Sequence, residues 1–260
     1  MYHDVTALPT STGGGAKYFS VSNAAFVRHL GLLEVAGLRG CSIEEALGSP
    51  ATRRVAISMD DGDLGQATRA FPALAARRMT ATFFVTTNWV GTPGYASWDQ
   101  LREMRAAGMS IQSHTHTHPF LSSLGSDLLR DELARSRSLL DEQLGQQTNM
   151  IAFPGGDAPR PELRHMLADQ GYAVVGTSRW GLNDDAAESA QRYIRRCTVR
   201  GETNDAIFMA IATGNAWLGA KKSAREGVLR LVRSSLGPGR YARWRRALLE
   251  TVSSSGAKGG

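Results

Sequence analysis

The sequence predicts an α/β fold made of parallel βαβ units, on three observations. Short apolar and β-branched segments alternate with longer segments of helical periodicity between residues 55 and 177. Capping residues flank the helical segments, so that one helix separates each strand from the next. The chain has 260 residues, close to the roughly 250 residues of a single α/β barrel. These patterns leave open whether the sheet closes into a barrel or remains an open sheet.

Five segments have the composition of buried strands, rich in Val, Ile, Phe and Thr. They are VAISM (55–59), TATFFVTT (80–87), MSIQSH (109–114), MIAFP (150–154) and YAVVGT (172–177). In parallel α/β folds the chemistry lies beyond the carboxyl ends of the strands. The residues at the end of each segment are therefore the first candidates for a functional site.

The helices between these strands are predicted from apolar spacing and from the residues at their ends. They cover residues 64–78, 97–108, 126–145 and 161–171. Ser97 and Ser126 are predicted N-caps, and Gly108, Gly145 and Gly171 are predicted to end their helices. The helix ends therefore agree with the strand assignments.

The net charge of +6 is concentrated at the end of the chain. Residues 221–260 contain ten Lys or Arg and two Glu, which leaves residues 1–220 with a charge of about −2. A slightly acidic body argues against nucleic-acid binding. The chain is therefore predicted to divide into a main domain, residues 1–220, and a basic tail, residues 221–260.

Two polar motifs end predicted strands and are expected to meet at one edge of the sheet. MDDG (59–62) ends the first strand, and SHTHTHPF (113–120) ends the third. His114 and His118 are four residues apart, a spacing that on a helical turn places both imidazoles on one face. A carboxylate with two imidazoles suits Zn²⁺ or a similar divalent ion, and His116 is expected to face away.

Asp60 and Asp61 are adjacent, so in extended backbone their side chains diverge and serve different purposes. In the alternative interpretation, Asp-Asp-Gly is an ordinary turn and the histidines are solvated. The occurrence of both motifs at matching strand ends favours a metal site over that alternative.

The segments ISMDDG, SHTHTHPFLSSL and IAFPGG, in this order and with these βα units between them, resemble the polysaccharide deacetylase family. The resemblance spans about residues 2–199. It implies a distorted (β/α) barrel with an incomplete strand ring. It also implies metal-dependent removal of N- or O-acetyl groups from acylated sugars, with Zn²⁺ as the expected ion and Co²⁺ or Ni²⁺ as alternatives.

The resemblance also assigns roles to particular residues. Asp61, His114 and His118 would be the metal ligands, and Asp60 would be the general base. The backbone N–H of Gly155, in the third motif, would help to stabilise the oxyanion.

This sequence departs from the family pattern at the base and at the acid. The commonest third motif has an Arg that orients the base, and this chain has Ala152 there. Members without that Arg tend to have one on a late strand, which Arg196 matches. The family's Leu-x-His, which supplies the general acid, has no counterpart after Val199, so His3 is the best candidate for the acid. Trp180 stands where the family has a Trp lining the sugar cleft, although a core Trp is the alternative.

The predicted function is a metal-dependent N-deacetylase acting on an acetylated polysaccharide, oligosaccharide or lipid-linked glycan. Two alternatives remain at the level of the sequence. One is a related metal hydrolase that cleaves a non-sugar amide. The other is a catalytically silent sugar-binding module with the same fold.

The tail, residues 221–260, is predicted to be an amphipathic helix with a disordered end. Arginines lie opposite apolar and aromatic residues at helical spacing, a pattern that suits an anionic membrane surface as well as packing on the barrel. The chain opens with MYHDV rather than a signal-peptide pattern, so the expected location is cytoplasmic, with peripheral membrane contact through residues 221–250. Sedimentation with anionic liposomes at low salt tests the expected contact.

Overall fold

The computed structural model describes residues 1–7, 19–48, 53–156, 161–183 and 192–215. Two small parallel pairs flank a larger sheet: β1 (Val5–Thr6) pairs with β2 (Val21–Ser22), and β3 (Arg39–Cys41) pairs with β4 (Arg54–Ala56). The larger sheet contains β5 (Ser58–Met59), β6 (Thr82–Val85), β7 (Ser110–Ser113), β8 (Met150–Ala152), β9 (Val174–Thr177) and β10 (Arg192–Arg195). These six strands are parallel and lie side by side in sequence order. All their carboxyl ends therefore face the same rim.

The two edges of this sheet, β5 and β10, are linked by the first residues of the chain. Tyr2 forms an isolated parallel bridge to Met59. On the other side, the N–H of Val199 donates to the carbonyl of Met1 at 2.8 Å. In the described part of the chain, the backbone of Met1 and Tyr2 is thus what connects the two edges of the sheet. The fold is a distorted (β/α) barrel with an incomplete strand ring, which confirms the expected architecture.

Seven α-helices surround the sheet in the described residues. They are α1 (Asn23–Val35), α2 (Ile43–Gly48), α3 (Phe71–Ala75), α4 (Trp98–Ala106), α5 (Ser126–Leu144), α6 (Pro161–Asp169) and α7 (Asp205–Ala212). Ser97 caps α4 in a full capping box with Gln100, as its sequence predicts. Gly145 ends α5 with φ = 59°, a left-handed conformation that favours glycine.

Three sequence predictions of secondary structure are corrected. The segment 55–59 is divided between two sheets, because the chain changes partner at the buried Ile57. Ser126 is the first residue of α5, and its N-cap is Gly125, which has no side chain to cap the helix. The predicted helix 64–78 contains a π-helical segment, Gln66–Ala70, before α3. Continuous apolar or helical patterns do not reveal such changes.

Both faces of the central strands are buried. On β6, Phe83 packs in the cluster that includes residues of α1 and α4, whereas Phe84 packs inside the ring with Met150 and Ile194. The guanidinium of Arg196 lies 5.0 Å from the centre of the Phe84 ring. The apolar interior therefore ends at a buried cation next to the carboxyl ends of the strands.

The predicted domain boundary at residue 220 and the whole tail, residues 221–260, lie outside the described residues. Within the described part of the chain, no helix combines the length and the hydropathy needed to cross a bilayer.

Candidate metal centre

Asp60 and Asp61 directly follow β5, and a turn separates their side chains. The backbone of Asp61 is left-handed, with φ = 81°, and Gly62 continues the turn with φ = 88°. The N–H of Thr86, beyond the end of β6, donates to the carbonyl of Asp61 at 3.2 Å. The two carboxylates diverge as the sequence predicts, but through a left-handed turn rather than through extended backbone.

Three candidate ligand atoms converge beyond the strand ends. Asp61 Oδ1 lies 3.2 Å from His114 Nε2 and 3.3 Å from His118 Nε2. The ligand atoms of the three residues all lie within 4.8 Å of one another. His116 is not part of this cluster, and its Nδ1 lies 2.9 Å from the hydroxyl of Thr87.

The orientation of the His114 ring is determined by a backbone carbonyl. His114 is 2% exposed, and its Nδ1 lies 2.9 Å from the carbonyl oxygen of Ala152 at the end of β8. A carbonyl oxygen only accepts, so Nδ1 carries the hydrogen and donates it. The lone pair of Nε2 is thereby directed at Asp61, the arrangement in which histidines bind metals.

The histidine motif forms a loop and not the helical turn considered from its spacing. Thr115 and His118 have left-handed backbones, with φ = 70° and 62°. The N–H of His118 donates to the hydroxyl of Thr115 at 3.1 Å, and the N–H of Thr115 donates to that of Ser113 at 3.1 Å. These bonds fold the loop back on itself, so the second imidazole returns to the first.

The cluster suits a divalent cation. Asp61 Oδ1 is buried and, within the described residues, receives no hydrogen bond although both rings lie within ion-pair distance. Burial acts to raise the pKa of the Asp61 carboxyl, but His114 and His118, when their rings are protonated, outweigh burial and hold the pKa well below its usual range. An ionised carboxylate and two imidazole nitrogens are a donor set that Zn²⁺ accepts with coordination positions to spare.

Asp60 is held by a buried ion pair with Arg196. Arg196 Nη1 and Nη2 donate to Asp60 Oδ1 and Oδ2 at 2.5 and 2.9 Å, and the two side chains are 4% and 3% exposed. Burial acts to raise the pKa of Asp60, but the charges of Arg196 and His114 outweigh it and lower the pKa. Removing one partner of such a buried pair typically costs about 3–5 kcal/mol. The structure thus places Arg196 where the resemblance expects the cation that orients the base.

Small residues on two strands make room for Arg196. A Cβ atom on Gly176 would lie 3.0 Å from Arg196 Nε and 3.4 Å from the Cβ of Ala152. Ala152 is the position at which the commonest family pattern has its Arg. The guanidinium from beyond β10 therefore lies in the part of the ring that Gly176 and Ala152 leave open.

His3 lies near the two carboxylates, and a buried glutamine helps to hold its backbone. Gln66 Nε2 donates to the carbonyls of His3 and Asp60, at 3.0 and 2.5 Å. Burial lowers the pKa of His3, while the charges of Asp60 and Asp61 oppose the change. Its Nδ1 is buried and has no hydrogen-bond partner in the described residues. The sequence pattern gave no indication of Gln66, which enters the site through the π-helical segment.

Gly155 is held in a left-handed turn at the end of β8. Its φ is 63°, and a Cβ atom there would lie 2.4 Å from Phe120 Cε1. Glycine is therefore required at this position by backbone angle and by the packing of an aromatic ring. Gly156 also has a left-handed φ, 66°.

Trp180 lines a cavity of about 430 Å³ between the segment after β9 and helix α7. Leu182, Arg195 and Ile211 are among its other walls. The three candidate ligands are not among the described residues that line this cavity. The structure therefore places Trp180 in the wall of a cavity, and its contact with a sugar stays a prediction.

Two aromatic residues beside the metal cluster were missed by the sequence analysis. The half-buried Trp89 has its ring centre 4.9 Å from that of His118 and 4.9 Å from that of Tyr95. Both lie in the loop after β6, at the same rim as the motifs. Aromatic residues following a predicted strand were the signal that could have identified them.

Comparison with known proteins agrees with this geometry. Residues 48–175 match the family model described as polysaccharide deacetylase. This part of the chain belongs to the polysaccharide deacetylase family. The chain is 30% identical to YxkH of Bacillus subtilis over 162 residues, which are 60% of this chain and 55% of that protein.

A second relative is the chitin deacetylase of Colletotrichum lindemuthianum, 37% identical over 73 residues. That match covers 28% of this chain and 29% of the relative. The chain thus spans about half the length or less of these curated relatives. The fold is similar to that of the Streptococcus pyogenes deacetylase PplD in complex with acetate, with a TM-score of 0.71 and 24% identity over 81% of this chain and 95% of that one.

The geometry of the three ligands gives a prediction for metal binding. His114→Ala and His118→Ala should each remove most of the bound metal, because each deletes one of three donors. His116→Ala should keep it, because that ring contacts Thr87 instead. Metal content after dialysis, measured by mass spectrometry, checks this. Equal metal loss in all three variants would contradict the ligand assignment.

Proposed function

We propose that this polysaccharide deacetylase is a metal-dependent hydrolase that removes N-acetyl groups from acetylated sugars. The observation that supports the proposal most strongly is that two adjacent carboxylates have different partners. Asp61 faces two imidazole nitrogens, whereas Asp60 is paired with Arg196. The cluster around Asp61 can therefore hold a cation, while Asp60 remains available to accept a proton.

Asp61, His114 and His118 would hold the ion. A divalent cation there, of which Zn²⁺ suits the donors best, would polarise the acyl carbonyl and lower the pKa of a bound water toward about 7. Asp60 is kept ionised by Arg196, which allows it to accept a proton from the attacking water. Each Asp60 oxygen retains a second lone pair beside its bond to Arg196, so the ion pair does not block this transfer.

Two further groups complete the proposed reaction. The left-handed turn at Gly155 presents backbone at the end of β8, where an N–H can stabilise the oxyanion. His3, near Asp60 and Asp61, is the proposed donor of a proton to the leaving amine.

The proposed substrate class is supported by aromatic residues and by a relative. Trp89 and Tyr95 form a half-buried aromatic pair next to His118, and ligand sites are commonly lined by such side chains. Trp180 lines a separate cavity, which could take a further part of a longer substrate. The name of one relative, chitin deacetylase, is consistent with an N-acetylated sugar polymer.

Acetate release from N-acetylated sugars tests the proposal. The chain should release acetate from N-acetylglucosamine oligomers, lose this activity with a chelator and regain it with Zn²⁺ or Co²⁺. Asp60→Asn should keep the metal and lower kcat by about 10²–10⁴-fold, the usual effect of losing a positioned base. Asp61→Asn should instead lose the metal.

The opposite outcomes discriminate among the alternatives. If Asp60→Asn empties the site and Asp61→Asn leaves it filled, the two roles are reversed. Hydrolysis of simple N-acetyl amides but of no sugar would favour the non-sugar amide hydrolase. A metal-loaded chain that binds sugar oligomers and releases no acetate would be the silent binding module.

A further inference from the structure

Glu132, in the middle of α5, contacts the loop that carries two of the three candidate ligands. Its Oε2 accepts hydrogen bonds from the N–H groups of His116 and Thr117, at 2.9 and 2.8 Å. Its Oε1 accepts a third from the hydroxyl of Thr117 at 2.6 Å. All three donors belong to residues between His114 and His118.

The loop has a conformation that needs such a partner. Thr115 and His118 are left-handed although neither is glycine, and for a β-branched threonine this conformation is uncommon. Successive N–H groups in a turn form a concavity that binds anions. The N–H groups of His116 and Thr117 form such a concavity, and the Glu132 carboxylate is the anion within it.

Helix α5, which supplies Glu132, is itself bonded to β7, the strand that precedes this loop. Leu129 and Leu133 are 7% and 0% exposed and anchor α5 on both sides of Glu132. One turn further, the hydroxyl of Ser136 lies 2.7 Å from that of Ser113, which directly precedes His114. Helix α5 therefore contacts the start of the loop through Ser136 and the middle of the loop through Glu132.

The His116 side chain and backbone strengthen this support from the opposite direction. The His116 ring is bonded to the hydroxyl of Thr87, and the N–H of Asn88 donates to the His116 carbonyl at 3.0 Å. The loop between the two ligands is thus held between α5 and the end of β6. Of these contacts, the Glu132 carboxylate contributes three hydrogen bonds from one side chain.

We propose that Glu132 is a positioning residue that holds His118 in the arrangement for metal binding and thereby sets the metal affinity of the site. It touches neither the substrate nor the ion, and acts through the backbone of the loop. Groups that orient metal ligands typically change affinity by about 10–100-fold when they are removed. The inference rests on the proposed function in one respect, that Asp61, His114 and His118 bind a metal.

The test measures metal affinity without reference to activity. Dissociation constants for Zn²⁺ and Co²⁺ are obtained by competition with a chromophoric chelator, together with the visible spectrum of bound Co²⁺. Glu132→Ala should weaken binding by about 10–100-fold and change the Co²⁺ spectrum. Glu132→Gln should lose less, because its amide oxygen can accept both N–H groups and its Nε2 can donate to the Thr117 hydroxyl.

Asp131→Ala is the matched control. Asp131 is the neighbouring acid on α5, is exposed, and is bonded to Arg135. Its replacement removes one charge from the same helix and should leave both dissociation constants unchanged. Equal weakening in Asp131→Ala and Glu132→Ala would show a general charge effect and overturn the inference.

Failure of the inference and failure of the proposed function are distinguishable. A wild-type chain that binds neither ion contradicts the metal site and with it the proposed function. A wild-type chain that binds tightly while folded Glu132→Ala binds equally well overturns only the role of Glu132. If Glu132→Ala does not fold, Thr117→Val removes one of the three hydrogen bonds, and unchanged metal affinity in both it and Glu132→Gln overturns the inference.

Discussion

Left-handed backbone at three non-glycine residues is the constraint on which the site depends. Such conformations cost on the order of 1–3 kcal/mol each and persist only when surrounding contacts impose them. At Asp61 the turn directs one carboxylate to the two imidazoles while the adjacent Asp60 stays with Arg196. At Thr115 and His118 it returns the second imidazole to the first. The contacts from α5 and from the end of β6 offset this cost.

The second constraint is electrostatic. A carboxylate buried at the end of an apolar ring interior requires a counterion, and Arg196 supplies it from 136 residues away. The space for the guanidinium exists because Gly176 and Ala152 have small or absent side chains. An Arg at position 152 and an Arg at position 196 are thus alternative ways to fill the same part of the ring. The guanidinium can come from either position, and in both cases it can pair with Asp60.

The sequence was most informative where the pattern is local. The order of strands and helices, the cap at Ser97 and the two histidines of the metal cluster follow from spacing and from motifs at strand ends, whereas the family resemblance chose Asp61 over Asp60 as the third ligand. The division of residues 55–59 between two sheets could not be predicted, because a continuous apolar run does not show a change of partner. Glu132 was missed for a related reason, since its importance arises from contacts made only after the chain has folded.

One ion should bind between Asp61, His114 and His118 while Asp60 stays with Arg196. Anomalous diffraction from crystals soaked in Zn²⁺, recorded on both sides of the zinc absorption edge, tests it most directly. One strong peak is expected, bonded to a carboxylate oxygen of Asp61 and to Nε2 of both histidines. A peak bonded to Asp60, a peak on the Nδ1 side of either ring, or a site left empty at saturating Zn²⁺ would contradict it.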